Sequence, residues 1–328
     1  MCSKGLHSHN MNNHNKNTPL IKLGTRGSRL ALAQAEEFKT RLAKSINVFR
    51  EPGAVEIVVI NTAGDKILDR PLSDVGGKGL FIKEIEKALL EGHIDVAVHS
   101  MKDVETCLNP ETRIGCILPR EEINDAFISN SSEKLMNLPY ASVVGTSSIR
   151  RVGLLKNKRP DLKTVLFRGN INTRLKKLDN REVDATILAV AGLKRIGLER
   201  RITQTFAVEE IPPAVGQGAI GVQCRIPRCK TDKKLFEWIK IINHRESALR
   251  VEAERSMLGA LDGSCKTPIA GFAELISKEE IVLKGFVISP DGSNIYSESG
   301  TANQTDAVKL GKEIGQRLLA KAGSDLVR

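Results

Sequence analysis

Short apolar runs with strand periodicity alternate with helical patterns up to about residue 240. Residues 20–25 predict a strand that leads through Arg26-Gly27-Ser28 into a helix over 29–46. Residues 55–61 lead through a Gly-rich segment into a predicted helix over 80–90. Further strands are predicted at 95–99, 142–144, 164–167 and 184–190. This alternation is typical of α/β layers whose ligand-binding groups lie at the strand ends.

The pattern changes after about Asn243. A long helical stretch over 246–261 precedes three apolar runs that predict antiparallel strands, and a helix closes the chain; these lie at 269–276, 281–288, 295–299 and 305–322. This part predicts a small α+β domain. A chain of 328 residues with 41% hydrophobic content can bury more than one core, so we expect two or three domains in total.

The sequence has no pattern of a membrane span or of a zinc site. No apolar run approaches the roughly 20 residues that cross a bilayer. Residues 1–17 are rich in Asn and His and have no hydrophobic segment, so we expect a disordered tail there. The cysteines show no CxxC or paired spacing, which predicts a reduced, cytoplasmic protein without a bound metal; they are Cys2, Cys107, Cys116, Cys224, Cys229 and Cys265.

Positive charge is concentrated in one part of the chain. The formal net charge is +11, and residues 145–201 alone hold 15 Lys or Arg against 5 Asp or Glu. Within this stretch, Gly145-Thr146-Ser147-Ser148-Ile149-Arg150-Arg151 and Arg168-Gly169-Asn170-Ile171-Asn172-Thr173-Arg174 each follow an apolar run and precede a helical pattern. Helix N-terminal N–H groups and guanidinium groups can therefore converge on one anion. The alternative, a solvated helix face, is assigned to Lys156, Lys158, Lys176 and Lys177.

Two further segments carry candidate chemistry. Asp262-Gly263-Ser264-Cys265-Lys266-Thr267-Pro268 predicts a surface turn, and the ammonium of Lys266 favours a reactive thiolate at Cys265. The alternative is an inert, packed cysteine. Asp103 follows a strongly apolar strand, where its carboxylate can stabilise a developing positive charge or can serve as a turn or cap residue. We interpret His99 as a packed histidine at the strand end.

Seven motifs in one order resemble the hydroxymethylbilane synthase family, also called porphobilinogen deaminase. The resemblance runs over residues 20–321. The motifs are Gly24-Thr25-Arg26-Gly27-Ser28, Val75-Gly76-Gly77-Lys78-Gly79-Leu80-Phe81, His99-Ser100-Met101-Lys102-Asp103, Gly145-Thr146-Ser147-Ser148-Ile149-Arg150-Arg151, Phe167-Arg168-Gly169-Asn170, Ala214-Val215-Gly216-Gln217-Gly218 and the Cys265 turn.

The resemblance implies a transferase of tetrapyrrole and haem biosynthesis. In such enzymes the cysteine that matches Cys265 holds a dipyrromethane cofactor through a thioether. Porphobilinogen loses ammonia to give an azafulvene, which the terminal pyrrole attacks, and after four rounds hydrolysis releases the linear tetrapyrrole hydroxymethylbilane. Each pyrrole brings an acetate and a propionate, so the basic stretch is expected to bind carboxylates.

Site residues are carried over motif by motif. Asp103 is the expected catalytic group. The residues expected to hold the cofactor are Lys102, Asp103, Thr146, Ser148, Arg150, Arg151, Arg174 and, covalently, Cys265. Those expected to bind substrate are Arg26, Ser28, Gln34, Phe81, Arg168, Gly169, Arg195 and Gln217. No residue is expected to bind a metal ion.

The resemblance also implies the architecture. We expect two periplasmic-binding-protein-like (type II) α/β domains and a small α+β C-terminal domain that carries the cysteine. The expected bounds are 18–120 with 218–240, 121–217, and 241–328. Residues 66–78 should form a mobile lid, although Asp74 stands where many relatives have a lysine. The protein should be a monomer that takes porphobilinogen and binds neither membrane nor nucleic acid.

Two other classes of protein fit part of the sequence. A nucleic-acid-binding protein would explain the charge, but aromatic residues are only 4% of the chain, so stacking platforms are scarce. A non-catalytic anion-binding module of the same architecture would explain the arginine turns without needing Cys265 or Asp103.

Overall fold

Three sheets organise the part of the chain that the structure, a computed structural model, describes: residues 19–66, 82–262, 267–323 and Leu326. The chain first enters the sheet of the first domain. Its elements in chain order are β1 (Ile21–Thr25), α1 (Arg29–Ser45), β2 (Val55–Val59), α2 (Ala63–Lys66), α3 (Lys83–Leu90), β3 (Val96–Ser100) and β4 (Thr112–Ile117). β1 lies between β2 and β3 and is parallel to both.

The second domain follows a crossing at residues 118–124. Its elements are β5 (Asp125–Ser129), β6 (Val143–Gly145), α4 (Ile149–Lys158), β7 (Lys163–Val165), α5 (Ile171–Asp179), β8 (Ala185–Ala189), α6 (Val190–Arg195) and β9 (Gln204–Thr205). β6 is parallel to β7 and β8, whereas β5 is antiparallel to β8 and β9. A second crossing at 206–219 returns the chain to the first domain.

The return strand completes the first sheet. β10 (Ile220–Arg225) pairs antiparallel with both β3 and β4, and α7 (Lys230–Ile241) follows it. The strand orders are β2-β1-β3-β10-β4 and β7-β6-β8-β5-β9, so the two sheets share one topology. In each sheet, the strand that arrives from the other domain is inserted beside an edge strand. The predicted pair of α/β domains is confirmed.

Glycines allow the second crossing to pass close to the first domain. Gly216 has φ +70° and Gly218 has φ +83°, values that L side chains rarely adopt. A Cβ at Gly216 would lie 3.2 Å from the carbonyl carbon of Met101. The expected close approach of this backbone near the crossing is therefore present, next to the turn that carries Asp103.

The third domain is a helix-backed antiparallel sheet. Its elements are α8 (Arg245–Ala260), β11 (Ile269–Leu275), β12 (Glu280–Ile288), β13 (Ile295–Asn303) and α9 (Ala307–Ala322). The strands pair in sequence order, and both helices pack on one face of the sheet around Met257, Ile314 and Leu318. The predicted α+β domain is confirmed, with a last strand that extends beyond the predicted residue 299.

The third domain contacts both of the others. Glu254 of α8 binds Arg120 of the first crossing, and Arg255 donates to the backbone carbonyls of Val104 and Glu105. The end of β12 packs on α4, where Asn157 also donates to the carbonyl of Gly292. The predicted residue bounds of the three domains remain a prediction.

Candidate active site

A cavity of about 660 Å³ lies where the two α/β domains meet, at the ends of their strands. Leu258, Thr267 and Ile269 of the third domain complete its wall. Most predicted site residues that the structure describes line this cavity: Arg26, Ser28, Gln34, Lys102, Asp103, Ser148, Arg150, Arg151, Arg168, Gly169, Arg174, Arg195 and Gln217. Residues distant in sequence are thus brought to one place.

Three helices with side-chain N-caps begin at the cavity. Their caps are Ser28 for α1, Ser148 for α4 and Asn170 for α5, and each cap side chain accepts a backbone hydrogen bond from the third residue beyond it. All three caps line the cavity. A helix N-terminus carries partial positive charge and offers N–H donors, so three of them together favour an anionic ligand. Both arginine turns are placed at helix starts, as the sequence predicts.

Cationic side chains surround a single acid. Among the described lining residues, Asp103 is the one carboxylate, against Arg26, Lys102, Arg150, Arg151, Arg168, Arg174 and Arg195. Burial lowers the pKa of Lys102 from 10.5 to about 8, although Asp103 opposes that shift. Burial likewise lowers the pKa of Arg174 to about 10, with Arg151 and Arg168 adding to the effect. Bound carboxylates would relieve this crowding of positive charge.

Asp103 sits in a short turn directly after β3. The turn spans Met101–Asp103, and the carboxylate is half-buried. Within the part of the chain that the structure describes, this carboxylate makes no hydrogen bond or ion pair and caps no helix. Its oxygens are therefore available to hydrogen-bond donors of a ligand in the cavity.

Arg150 and Arg151 already hold a carboxylate of the protein itself. Arg151 binds Asp125 through Nε at 3.0 Å and Nη2 at 2.7 Å, and Arg150 binds it through Nη2 at 2.8 Å. Sequence reasoning missed Asp125, which is fully buried at the start of β5. Asp125 is the first residue of a strand that the sequence did not predict, and it belongs to none of the motifs. Asp125 thus occupies part of the donor set of each guanidinium group, and the predicted binding of a ligand by Arg150 and Arg151 stays a prediction.

Two other predicted binding residues have partners in the protein. Arg195 donates to Glu37 at 3.3 Å and to the carbonyl of Gly218 at 2.9 Å, and so joins α6 to α1 and to the second crossing. Gln34 of α1 donates to the hydroxyl of Ser100 at 2.8 Å. Both side chains line the cavity, and both also fix its walls.

Thr146 and Gly169 shape the turns. The buried hydroxyl of Thr146 accepts from the N–H of Ser148 at 3.2 Å, and Thr146 does not line the cavity. Gly169 has φ +116°, and its carbonyl accepts from Nε of Arg174 at 2.8 Å. Thr146 therefore acts on the cavity through the α4 turn, and Gly169 through the orientation of Arg174.

His99 is a packed histidine, as the sequence suggested. It is buried, and its Nε2 is 3.0 Å from Oε1 of Gln223. Both amide hydrogens of Gln223 are directed to Glu86 and Thr112, so its Oε1 accepts from Nε2–H of His99. Burial lowers the pKa of His99 to about 4, which leaves the ring neutral.

Several predicted features lie outside the described residues. They are Cys265, Phe81, the tail over 1–17, and the lid from residue 67 onward, with Asp74 in it. Within the described ranges, no group of three His, Cys, Asp or Glu side chains could hold a metal ion. In that same part of the chain, every helix is too short or too polar to cross a membrane.

The fold and the cavity define a two-lobed α/β protein with a third domain and a cavity whose described wall carries many cations and one carboxylate. The chain belongs to the porphobilinogen deaminase family. Residues 21–233 match the model described as "Porphobilinogen deaminase, dipyromethane cofactor binding domain", and residues 248–320 match "Porphobilinogen deaminase, C-terminal domain". It is accordingly a transferase, a hydroxymethylbilane synthase with a dipyrromethane cofactor, and the predicted enzyme is confirmed over both alternatives.

Named relatives match over 93% of the chain. "Porphobilinogen deaminase, chloroplastic" of Pisum sativum is 49% identical over 310 residues, which cover 93% of this chain and 83% of that protein. Porphobilinogen deaminase of Nitrobacter hamburgensis is 48% identical over 304 residues, covering 93% of this chain and 94% of the relative. Among solved structures, a periplasmic binding protein of Salmonella typhimurium matches with a TM-score of 0.36 and 12% identity, covering 70% of this chain and 93% of that one.

Proposed function

We propose that the described cavity holds the dipyrromethane and the incoming porphobilinogen, and that Asp103 is the catalytic residue. The observation that carries this assignment is the arrangement of charge: one half-buried carboxylate without a protein partner among the described residues lies within a ring of cations. The cations would bind the acetate and propionate groups, and the acid would bind the pyrrole nitrogen side of the ring.

The residues present fit the cofactor in size and in chemistry. A volume of about 660 Å³ lies within the range of about 300–1,000 Å³ that is usual for small-molecule pockets. Nε of Arg150 and Oε1 of Gln217 are buried polar atoms of the described wall that have no hydrogen-bond partner there. The first can donate to a carboxylate, and the second can accept from a pyrrole N–H. Unsatisfied buried groups are costly, so a ligand that satisfies both is favoured.

Attachment and chain growth have the same atom balance. When the thiol of Cys265 displaces the amine of porphobilinogen, a C–N bond breaks, an S–C bond forms and ammonia leaves. The bound dipyrromethane supplies the pyrrole α-carbon at which the chain grows. In each later round a C–N bond of porphobilinogen breaks, a C–C bond forms, the α-hydrogen is lost as a proton and ammonia leaves. Thr267, two residues after Cys265, lines the cavity, and two residues of chain span at most about 7 Å.

Asp103 would act on the charge that develops when ammonia departs from porphobilinogen. The ring then becomes cationic, and a carboxylate that bonds its N–H stabilises that state more than the neutral ground state. Burial lowers the pKa values of Lys102 and Arg174, and carboxylates of the ligand would favour the charged form of both side chains.

The proposed partner is porphobilinogen, and the proposed state is a monomer in the cytoplasm. A reduced compartment suits an enzyme that needs one free thiol for attachment. The pea relative is named as chloroplastic, while the Nitrobacter relative carries no compartment in its name. Light scattering of the purified protein and fractionation of the source cell measure these two properties.

Asp103→Asn tests the proposal because it keeps the size and removes the charge. We expect a folded protein whose kcat for porphobilinogen falls by at least 10²-fold, with ligand binding retained. Asp103→Glu moves the charge by about one methylene and should leave slow turnover, since a misplacement of about 1 Å can cost about 10²-fold. Glu105→Gln removes a carboxylate two residues away that does not line the cavity, and should match the wild type. Wild-type kcat in Asp103→Asn would refute the assignment.

A further inference from the structure

Asp125 accepts four hydrogen bonds and touches no solvent. Its Oδ1 accepts from Nη2 of Arg151 at 2.7 Å and from Nε2 of Gln217 at 2.8 Å. Its Oδ2 accepts from Nε of Arg151 at 3.0 Å and from Nη2 of Arg150 at 2.8 Å. The side chain is 0% exposed, and it stands behind the arginines rather than in the cavity wall. With every acceptor position used, Asp125 itself cannot bind substrate.

This carboxylate decides which N–H groups of the arginines remain for a ligand. Arg151 is held edge-on to Asp125, and its Nη1 donates to the carbonyl of Ile187 at 2.8 Å. Arg150 donates from Nη2 to Asp125 and from Nη1 to the carbonyl of Pro212. Its Nε is buried without a partner among the described residues, although Arg150 lines the cavity. The arrangement therefore leaves one buried donor of Arg150 for a ligand acceptor.

The charges of these side chains also indicate that Asp125 holds Arg150 and Arg151 in fixed positions. Two adjacent buried guanidinium groups repel each other, and one carboxylate between them offsets that repulsion while leaving one net positive charge. Burial alone would raise the pKa of Asp125, but Arg150 and Arg151 outweigh it and hold that pKa below its ordinary value. Gln217 links the same carboxylate to the second crossing and also donates to the carbonyl of Ile123 in the first. The pair is thus oriented relative to both crossings.

We propose that Asp125 is a positioning residue that fixes Arg150 and Arg151 so that Nε of Arg150 receives a carboxylate of the pyrrole ligand. The inference rests on the proposed function of the cavity and adds a residue that never touches the ligand. The two acids then have different roles, because Asp103 faces the reacting ring whereas Asp125 orients the cations that hold its substituents.

Chemical rescue by formate tests this role. Asp125→Ala removes the carboxylate and leaves a hole of its size beside two arginines. We expect the KM for porphobilinogen, measured for the fraction that carries the cofactor by intact mass, to rise at least tenfold. Added formate should lower that KM again, whereas in the wild type it should only compete with substrate carboxylates and raise KM. The expected result is therefore that formate lowers the KM of Asp125→Ala and raises the KM of the wild type.

Glu254→Ala is the matched control. Glu254 is also 0% exposed and accepts four hydrogen bonds, from two nitrogens of Arg120 and from the N–H groups of Gly216 and Ala273. Formate should raise the melting temperature of this variant without lowering its KM. If formate raises the melting temperature of Asp125→Ala but does not lower its KM, Asp125 has only a structural role and the inference is overturned.

A second variant covers the case in which Asp125→Ala does not fold. Asp125→Asn keeps the volume of the side chain. Its amide N–H groups would face the N–H groups of the arginines, so donor would meet donor. Its KM should rise at least tenfold with kcat within threefold of the wild type, and a wild-type KM would overturn the inference. A different measurement tests the proposed function itself. If the intact mass of the wild-type protein shows no attached dipyrromethane, the proposed function is refuted, whatever the Asp125 variants do.

Discussion

Lys102 and Asp103 are neighbours in the chain that carry opposite charges into one cavity. The ordinary pKa of Lys102 is 10.5 and burial lowers it to about 8, so its charge is lost at a pH where the arginines keep theirs. Asp103 and Asp125 oppose the shift, while Arg150 and Arg151 reinforce it. Binding of substrate carboxylates by Lys102 should therefore weaken as the pH rises through about 8.

We predict an alkaline limb in kcat/KM for porphobilinogen with a midpoint near pH 8, because kcat/KM follows the ionisation of the free enzyme. Lys102→Arg should move this limb to higher pH, since a guanidinium group stays protonated. The same pKa shift has the opposite effect on the stability of the fold, which increases with pH. The unfolded chain binds more protons at this position between pH 8 and 10.5, so the contribution of Lys102 to stability rises with pH across that window. An unchanged limb in Lys102→Arg would contradict the assignment.

Single residues also show what sequence can predict about this site. The Arg150 and Arg151 turn could be recognised as an anion site because Gly, Ser and Arg precede a helical pattern. The identity of the anion could not be predicted from the sequence, because a guanidinium group binds a buried aspartate as readily as a carboxylate of a ligand. Asp125 lies 25 residues from Arg150 in the chain, and only the folding of β5 beside α4 brings the two together. Pairings at such separations have no local signature.

Helix α4 links the cavity to the third domain. Ser148 caps its N-terminus, its first turn holds Arg150 and Arg151, and its middle packs on the end of β12. Gly153 makes this packing possible, because a Cβ there would lie 2.6 Å from Cγ2 of Ile288 and 2.7 Å from the carbonyl oxygen of Ser289. A backbone oxygen cannot move aside as a flexible side chain can. The position of the helix therefore depends on a residue with no side chain.

Gly153→Ala should lower the free energy of unfolding by about 1–3 kcal/mol, because the overpacked contact outweighs the better helix propensity of alanine. Gly259→Ala in α8 is the matched control, since its nearest atom, Cβ of Thr106, is at 3.9 Å. That variant should be as stable as the wild type or up to about 1 kcal/mol more stable. Urea unfolding measures both, and equal effects of the two changes would contradict the packing argument.

At the scale of elements, the long helices and most strands of the described chain could be predicted, whereas four strands could not. The helices α1, α8 and α9 and the strands β1, β3, β11 and β12 lie close to their predicted bounds. β4, β5, β9 and β10 were missed. β9 has two residues, and β10 has glycine at its second position, so neither offers a run with clear alternation. Their place in the sheets comes from pairing with distant strands.

The three domains meet at one buried ion pair. Arg120 of the first crossing binds both oxygens of Glu254, at 2.6 and 3.0 Å, and its Nε donates to the carbonyl of Gln217. Glu254 also accepts from the N–H groups of Gly216 and Ala273. One carboxylate of the third domain is thereby bonded to both crossings between the first two domains.

Glu254→Gln should destabilise the whole molecule by about 3–5 kcal/mol, because it leaves the buried guanidinium group of Arg120 without its counter-charge. Replacing both partners, as in Arg120→Met with Glu254→Leu, should cost less than the single change, since no buried charge is then left unpaired. Thermal and urea unfolding of the three proteins measure the difference. A double variant that is less stable than Glu254→Gln would show that the pair contributes through more than its charges.

The insertion of β10 between β3 and β4 has a consequence for the order in which the domains are completed during synthesis. β4 leaves the ribosome early, yet its bonded neighbour in the sheet is β10, which is made only after the entire second domain. The second sheet, by contrast, is built from consecutive strands between Asp125 and Thr205. The lobe that comes second in the chain can therefore finish folding first, and the earlier lobe stays open at its edge until residue 225 has emerged.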